Sequence, residues 1–491
     1  MHDTIFRLND IRGEIDRDMT VHDMAYVAQA LVLYLKKHDS AQRAVALGRD
    51  GRLHSPAIYN IMAHEFETAG FEVINLGICP TPVVQFMMHK LSLKFAVMIT
   101  ASHNGPTYNG CKIFYHDQPL CGESLQELRA IAVQQKKHAP STDTSCTLAV
   151  AMHTEIPSIE RYVMWLVNHF PQLKGWDKPM VFDCGNGATG AVLPLLVKLM
   201  EWPNAQVLYA EVDGRFPFHE ADPVVLENMR ALIQHVVNSN ALCGIGFDGD
   251  GDRMGAITDS GHHVRGDHLL ALFSQDILQR SPHQTIVFDN KCSQMVHNII
   301  VEEHGVPFRS PSGHALIRQN MINNNAIFGG ELSCHFFFAD YYFGYDDGVY
   351  AALRLLDILY RRACSLDELL HQLPATYSTD EWRISYRDED KWNFVAAVHA
   401  KAAQHKQIID ISTLDGIRMI TSHGWLLLRA SQTQPALCLR GEAYTRADIE
   451  PLGAVIKHLL EPHDVWPTIA PSFDAWLHTA CSDRPLLTKE M

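Results

Sequence analysis

One order of elements recurs three times along this 491-residue chain and leaves few architectures open. "AVALGRD" ends at Asp50, "PMVFDCGNG" carries Asp183 and "QTIVFDNK" carries Asp289; each is a β-branched-rich run ending in a polar loop before a helix-like stretch. A second short strand follows each time, in "FEVINLGICPTP", "AQVLYAEVDG" and "VPFRSPSG". A third then feeds a distinctive loop, in "FAVMITASHNG", "ALCGIGFDGDGDR" and "AIFGGELSCH". The three sets span about 52, 65 and 42 residues from first marker to last, lengths that suit repeated β-α-β-α-β units. In such sheets ligands sit beyond the carboxyl ends of the strands, where all three loops fall.

The repeat predicts α/β domains at 1–147, 148–255 and 256–370, with the polar stretch 136–146 as the first boundary. Residues 371–385 read as a linker into a different fourth unit at 371–470, whose strands "GWLLLRAS" and "ALCLRGEAY" look antiparallel. Residues 471–491 read as a surface extension beginning at Pro471.

Composition narrows the function. Hydrophobic residues at 47% and charged residues at 20% exclude a disordered or fibrous chain. A balance of 41 basic against 56 acidic residues provides no global field for nucleic acid or an anionic membrane surface. No apolar run approaches the roughly 18 residues of a spanning helix, and the N-terminus lacks the pattern of a secretion signal. Eleven cysteines without a C-x-x-C pair predict reduced thiols and a cytoplasmic protein. The 28 histidines show no paired zinc spacing, and no P-loop or G-x-G-x-x-G supports nucleotide binding.

Asp248-Gly249-Asp250-Gly251-Asp252-Arg253 is the sharpest chemical feature. Carboxylates at i, i+2 and i+4 with glycine between them can fold around one hard cation. An EF-hand needs Gly at its sixth position and Glu at its twelfth, and here these are Arg253 and Asp259. Three carboxylates plus one phosphate oxygen suit Mg²⁺ better than Ca²⁺. Ser102 follows an apolar strand, with His103 adjacent and Lys112 downstream, a fair position for a nucleophile that carries the phosphate such a cation needs. Glu331 can accept hydrogen bonds from vicinal sugar hydroxyls. Arg429 with Ser431 and Thr433 offers a fork and hydroxyls suited to a phosphate.

Together with "GRDGR", "TASHNGPTYNGCKI", "DNKCS", "SGH" and "RASQTQPALCLRGEA", these motifs resemble the α-D-phosphohexomutase family, more closely its phosphomannomutase/phosphoglucomutase branch. The resemblance implies three related α/β domains with mixed sheets plus a smaller α+β C-terminal domain around a central cleft. It implies that Ser102 is a phosphoserine and that Asp248, Asp250 and Asp252 hold Mg²⁺ beside its phosphate. Lys112, Arg12 and His335 would act as acid, base or charge-stabilising groups. Glu331 and Ser333 would read the sugar, with Lys291, His314 and Arg253 lining the cleft. Arg429, Ser431, Gln432 and Thr433 would clamp the phosphate not in transfer, and a hexose 1,6-bisphosphate would be the intermediate and activator.

Three positions depart from the family pattern: Gly105 replaces the Pro after S-H-N, Gln432 an Asn, and Asn9 the Tyr before D-I-R-G. None removes a charged or nucleophilic group. The same chemistry on an amino sugar is the nearest alternative, and Leu332, resembling the Met of the mannose/glucose branch, favours the hexose. A non-catalytic phosphosugar-binding regulator and a simple phosphatase are the other readings.

Overall fold

A computed structural model describes residues 1–39, 41–138, 155–431 and 435–478. Four sheets carry the described chain. In the first, Ala44–Arg49 lies between Glu72–Ile78 and Phe95–Ile99, all parallel, and Tyr108–Tyr115 returns antiparallel beside Phe95–Ile99. The second repeats this order with Met180–Asp183 between Ala205–Leu208 and Cys243–Phe247, followed by the antiparallel Met254–Thr258. The third repeats it with Thr285–Asp289 between Val306–Ser310 and Phe328–Gly330, followed by Phe336–Phe338. The recurrent sequence order is therefore a recurrent topology, mixed in each sheet. Its central strands are apolar on both faces, as parallel strands covered by helices require.

The topology positions the chemistry. In every unit the distinctive loop joins the third parallel strand to its antiparallel return, so residues 100–107, 248–253 and 331–335 occupy equivalent places. The return strand of the first unit then brings Lys112 opposite Met98, one strand away from Arg12, whose register partner is Gly110.

The boundary expected after residue 255 falls inside Met254–Thr258, which pairs with Cys243–Phe247 and belongs to the second sheet. An apolar "MGAIT" run reads alike as the first strand of a new unit or the last of an old one, and only pairing separates the two. The boundary at 147 lies outside the described residues.

The fourth sheet is antiparallel throughout, with Ala436–Ala443 between Gly424–Ala430 and Trp382–Ser385. Helices Lys391–Ala402, Ile449–Leu460 and Trp466–His478 contribute Val398, Leu452, Ile456 and Phe473 to one core against this sheet. The extension expected from Pro471 is thus corrected over its described part: Pro471 lies inside the last helix, and Ile469, Phe473 and Trp476 are buried in that core. Their i, i+4, i+7 spacing forms one helical face. Phe473→Ala is expected to cost about 3–5 kcal/mol, read as a lower urea midpoint. Among the described residues no helix is long and apolar enough to cross a membrane.

Candidate active site

Ser102 has φ 51°, in the left-handed region, which costs a non-glycine residue about 1–3 kcal/mol unless its surroundings hold it. Arg52 supplies the hold. Its buried guanidinium donates to the carbonyls of Ser102 at 2.7 Å, Asn104 at 2.5 Å, Gly105 at 2.6 Å and Tyr108 at 3.1 Å. Asp50 anchors that guanidinium at 3.0 Å and itself accepts from the Ser55 hydroxyl at 2.7 Å. Arg12 reaches the same loop from the neighbouring strand, donating to Asn104 Oδ1 at 2.6 Å and pairing with Asp10.

The acidic loop meets the serine directly. A side chain at Gly249 would collide with the Ser102 carbonyl oxygen, and Gly251 adopts φ 73°, so glycine at both positions permits the approach and the turn. The Ser102 hydroxyl donates to Asp248 Oδ2 at 2.9 Å. Lys112 Nζ lies 2.7 Å from Asp250 Oδ2 and also pairs with Asp252, while Thr81 donates to Asp250 at 2.6 Å. Arg253 Nε bonds Asp248 Oδ2 at 3.0 Å and Nη1 bonds Asp222 Oδ1 at 3.1 Å. Its Nη2 is buried and finds no hydrogen-bond partner among the described residues.

The carboxylates of Asp248, Asp250 and Asp252 are buried, and one oxygen from each lies within 4.8 Å of the other two. Burial and the neighbouring negative charges push Asp248 and Asp252 upward; burial also acts on Asp250, but the Lys112 charge outweighs it and holds Asp250 low. Asp250 Oδ1 and Asp252 Oδ1 have no hydrogen-bond partner among the described residues. Buried carboxylate oxygens left without donors fit a metal ion, which the donor set marks as small and hard.

The third unit faces this cluster. His335 Nδ1 is 2.8 Å from Asp346 Oδ2 and 3.7 Å from Asp252 Oδ1, and His314 stacks on the His335 ring at 5.4 Å. Burial keeps the His314 imidazole neutral, its pKa pushed down to about 3. Glu331 accepts from the Gly313 N–H at 2.7 Å, and burial raises its carboxyl. The fourth unit contributes Arg429, whose Nε lies 2.9 Å from Asp415, and Ser431. One cleft is lined by residues of all four units, among them Arg12, Ser102, Arg253, His335 and Arg429.

Three comparisons with known proteins agree. Models of phosphoglucomutase/phosphomannomutase alpha/beta/alpha domains I, II and III match residues 3–139, 160–261 and 265–377. A phosphomannomutase/phosphoglucomutase of Pseudomonas syringae pv. tomato is 35% identical over 474 residues, covering 96% of this chain and 97% of the relative. The chain belongs to the phosphoglucomutase/phosphomannomutase family. A phosphoglucomutase of Neisseria gonorrhoeae is 36% identical over 94% of this chain and 98% of its own. A crystal structure of a phosphoglucomutase/phosphomannomutase family protein from Burkholderia thailandensis superposes with a TM-score of 0.80 at 28% identity, covering 99% of this chain and 100% of that one.

In this phosphohexomutase the cleft brings together Arg12, Ser102, Lys112, Arg253, Lys291, His314, Glu331, Ser333, His335, Arg429 and Ser431, with the aspartate triplet directly behind Ser102. Gln432 and Thr433 lie outside the described residues. Asn9, which stands where the family pattern has Tyr, also lines the cleft.

The motif reading of this phosphohexomutase gave no role to Arg52, Asp222, Asp346, Glu381 or Arg383, and named His103 only as the neighbour of Ser102. Arg52 stood within the quoted "GRDGR" motif, but its grip on four carbonyls is a fact of three dimensions. The "YDDG" run signalled Asp346 as an acidic pair before a helix. His103 Nδ1 sits 3.2 Å from the Ser102 hydroxyl, and burial together with Arg253, Arg12 and Arg383 drives its pKa well down. Glu381 carries no motif. Burial would raise its carboxyl, yet Lys291, Arg383 and Arg429 hold it at about 2.

Proposed function

We propose that this phosphohexomutase interconverts hexose 1-phosphate and hexose 6-phosphate, of mannose, glucose or both, through phosphorylated Ser102 and a 1,6-bisphosphate. The observation that carries the reading is the Ser102 hydroxyl, held 2.9 Å from Asp248 at the edge of the acidic cluster and open to the four-unit cleft. Phosphoryl transfer is mostly positioning and charge stabilisation, and the lining residues supply both.

In the forward step the bond between phosphorus and Ser102 Oγ breaks as one forms to the free sugar hydroxyl, whose proton leaves to a base. The bisphosphate turns over in the cleft, its other phosphate returns to Ser102, and the proton goes back to the oxygen released. His335 is suited to that proton traffic, because Asp346 fixes Nδ1 and leaves Nε2 as the second ring nitrogen. Arg12 and Lys112 lie against the serine loop and the triplet, where their charges offset that of the moving phosphoryl group. Glu331 and Ser333 are placed for sugar hydroxyls, and Arg429 with Ser431 for the other phosphate. Asp248, Asp250 and Asp252 would hold Mg²⁺, which supplies neutralising charge beside the phosphoserine. The nine described cysteines are free thiols, seven of them buried, which supports a cytoplasmic setting.

A coupled assay with glucose 1-phosphate and with mannose 1-phosphate, each with trace hexose 1,6-bisphosphate, tests the reading. Conversion to the 6-phosphates is expected. Steady release of inorganic phosphate without isomerisation would replace the mutase by a phosphatase. Asp250→Asn is expected to weaken the apparent Mg²⁺ affinity at least ~10-fold and to lower turnover, since even partners one step further from a metal matter by that much. A magnesium titration of rate that overlays wild type would remove Asp250 from the metal site.

A further inference from the structure

We propose that Arg383 is an additional phosphate-binding residue of this cleft, working with Arg429 from either side of Cys438 to grip the phosphate that is not in transfer. The proposal rests on the phosphosugar reading above and adds a contact to it.

Strand register places the three side chains together. Trp382–Ser385 pairs with Ala436–Ala443 so that Arg383 stands opposite Cys438, and Gly424–Ala430 pairs on the other side so that Arg429 stands opposite the same Cys438. Directly opposed residues of an antiparallel ladder share a face, and adjacent strands lie ~4.8 Å apart. Two arginines therefore flank one small side chain. Their strand neighbours Trp382, Ile384, Leu437, Leu439, Leu428 and Ala430 are all buried in the fourth unit's core. That alternation turns Arg383, Cys438 and Arg429 to the opposite face, where all three line the cleft beside Lys291.

Each arginine is held by a carboxylate on its Nε side. Glu381 Oε2 accepts from Arg383 Nε at 3.1 Å and lies 3.0 Å from Nη2, while Asp415 Oδ2 lies 2.9 Å from Arg429 Nε. A guanidinium has five N–H donors, so Glu381 fixes the plane of Arg383 and leaves Nη1 for a ligand. An Arg–Glu pair on an open surface would add little, but Glu381 is not on one. Its side chain is 12% exposed against 44% for Arg383, and its other oxygen faces Lys291 Nζ at 3.4 Å. Lys291, Arg383 and Arg429 bring three cationic side chains to one notch, where their N–H groups can make charge-assisted hydrogen bonds to a phosphate.

The test reads binding without turnover. Calorimetric titration of glucose 1-phosphate into the full-length Ser102→Ala protein is compared with the same protein carrying Arg383→Met or Arg383→Lys. The methionine variant is expected to bind roughly 10-fold more weakly or worse, as loss of a charge-assisted fork predicts. The lysine variant keeps the charge without the fork and is expected to fall between. In the otherwise wild-type enzyme, Arg383→Met is expected to raise KM more than it lowers kcat. Equal affinity of the methionine variant and its parent would overturn this inference and leave the phosphosugar reading standing. Should the methionine variant fail to fold, the lysine variant decides in the same way: a loss of affinity supports the contact, and parity overturns it. A Ser102→Ala parent that binds no hexose phosphate would overturn both readings.

Discussion

Ser102→Ala is expected to lower mutase turnover by at least on the order of 10³-fold, the scale on which enzymes lose activity with their nucleophile. The fold is expected to persist. Arg52 holds the loop through the Ser102 carbonyl, which alanine retains, and the hydroxyl itself meets only Asp248 and His103 Nδ1 among the contacts above. Binding of hexose phosphate should survive for the same reason, because the arginines and Lys291 come from other parts of the cleft. Near-wild-type turnover by a folded Ser102→Ala protein would remove the covalent intermediate from the account.

The second large effect is expected at a residue remote from the sugar. Arg52→Met leaves the Asp50 carboxylate without its buried counter-charge and takes a donor from four carbonyls around Ser102, of which Gly105 keeps the Tyr108 N–H. Breaking a buried ion pair from one side typically costs about 3–5 kcal/mol. The loss should appear as a lower urea midpoint and, in whatever protein remains folded, as lower turnover, since Arg52 ties down the carbonyls that keep Ser102 at φ 51°. Arg52 also lies over the Phe216 ring at 5.1 Å, so the first and second units meet at this guanidinium. Arg52→Lys keeps the charge but cannot span four carbonyls, and is expected to fall between wild type and methionine. A methionine variant within 1 kcal/mol of wild type by the same urea measurement would show that the carbonyls find other donors.

The three-unit architecture was legible because each unit spells its central strands as β-branched runs and ends its third strand in a loop of unusual composition. Glycine and aspartate alternate at 248–252, and that local pattern alone pointed to the metal site. Pairing was not legible: the Met254–Thr258 run carries no mark of which sheet it joins. The last helix was misread for a different reason. Pro471 outweighed the helical spacing of Ile469, Phe473 and Trp476, although that spacing was present in the sequence. Arg383 lay outside reach altogether, because its importance comes from standing opposite Cys438 in a ladder whose register is a tertiary fact. Glu381 belongs to the same class, with no signature of its own, whereas Arg52 stood in the "GRDGR" motif and only its grip on the serine loop was out of reach.

The net charge of −15 reads differently beside the cleft. Three of the acidic residues sit in the buried triplet, and Arg12, Lys112, Arg253, Lys291, Arg383 and Arg429 gather as a local positive lining. A net negative balance over the whole chain is therefore compatible with an anionic substrate.

The central claim is that Ser102 carries the phosphoryl group. Intact-mass measurement before and after incubation with glucose 1,6-bisphosphate and Mg²⁺, followed by site mapping, tests it most directly. The account predicts a gain of one phosphate, located on Ser102 and absent from Ser102→Ala. No gain in an active enzyme, or a phosphate mapped to another residue, would contradict it.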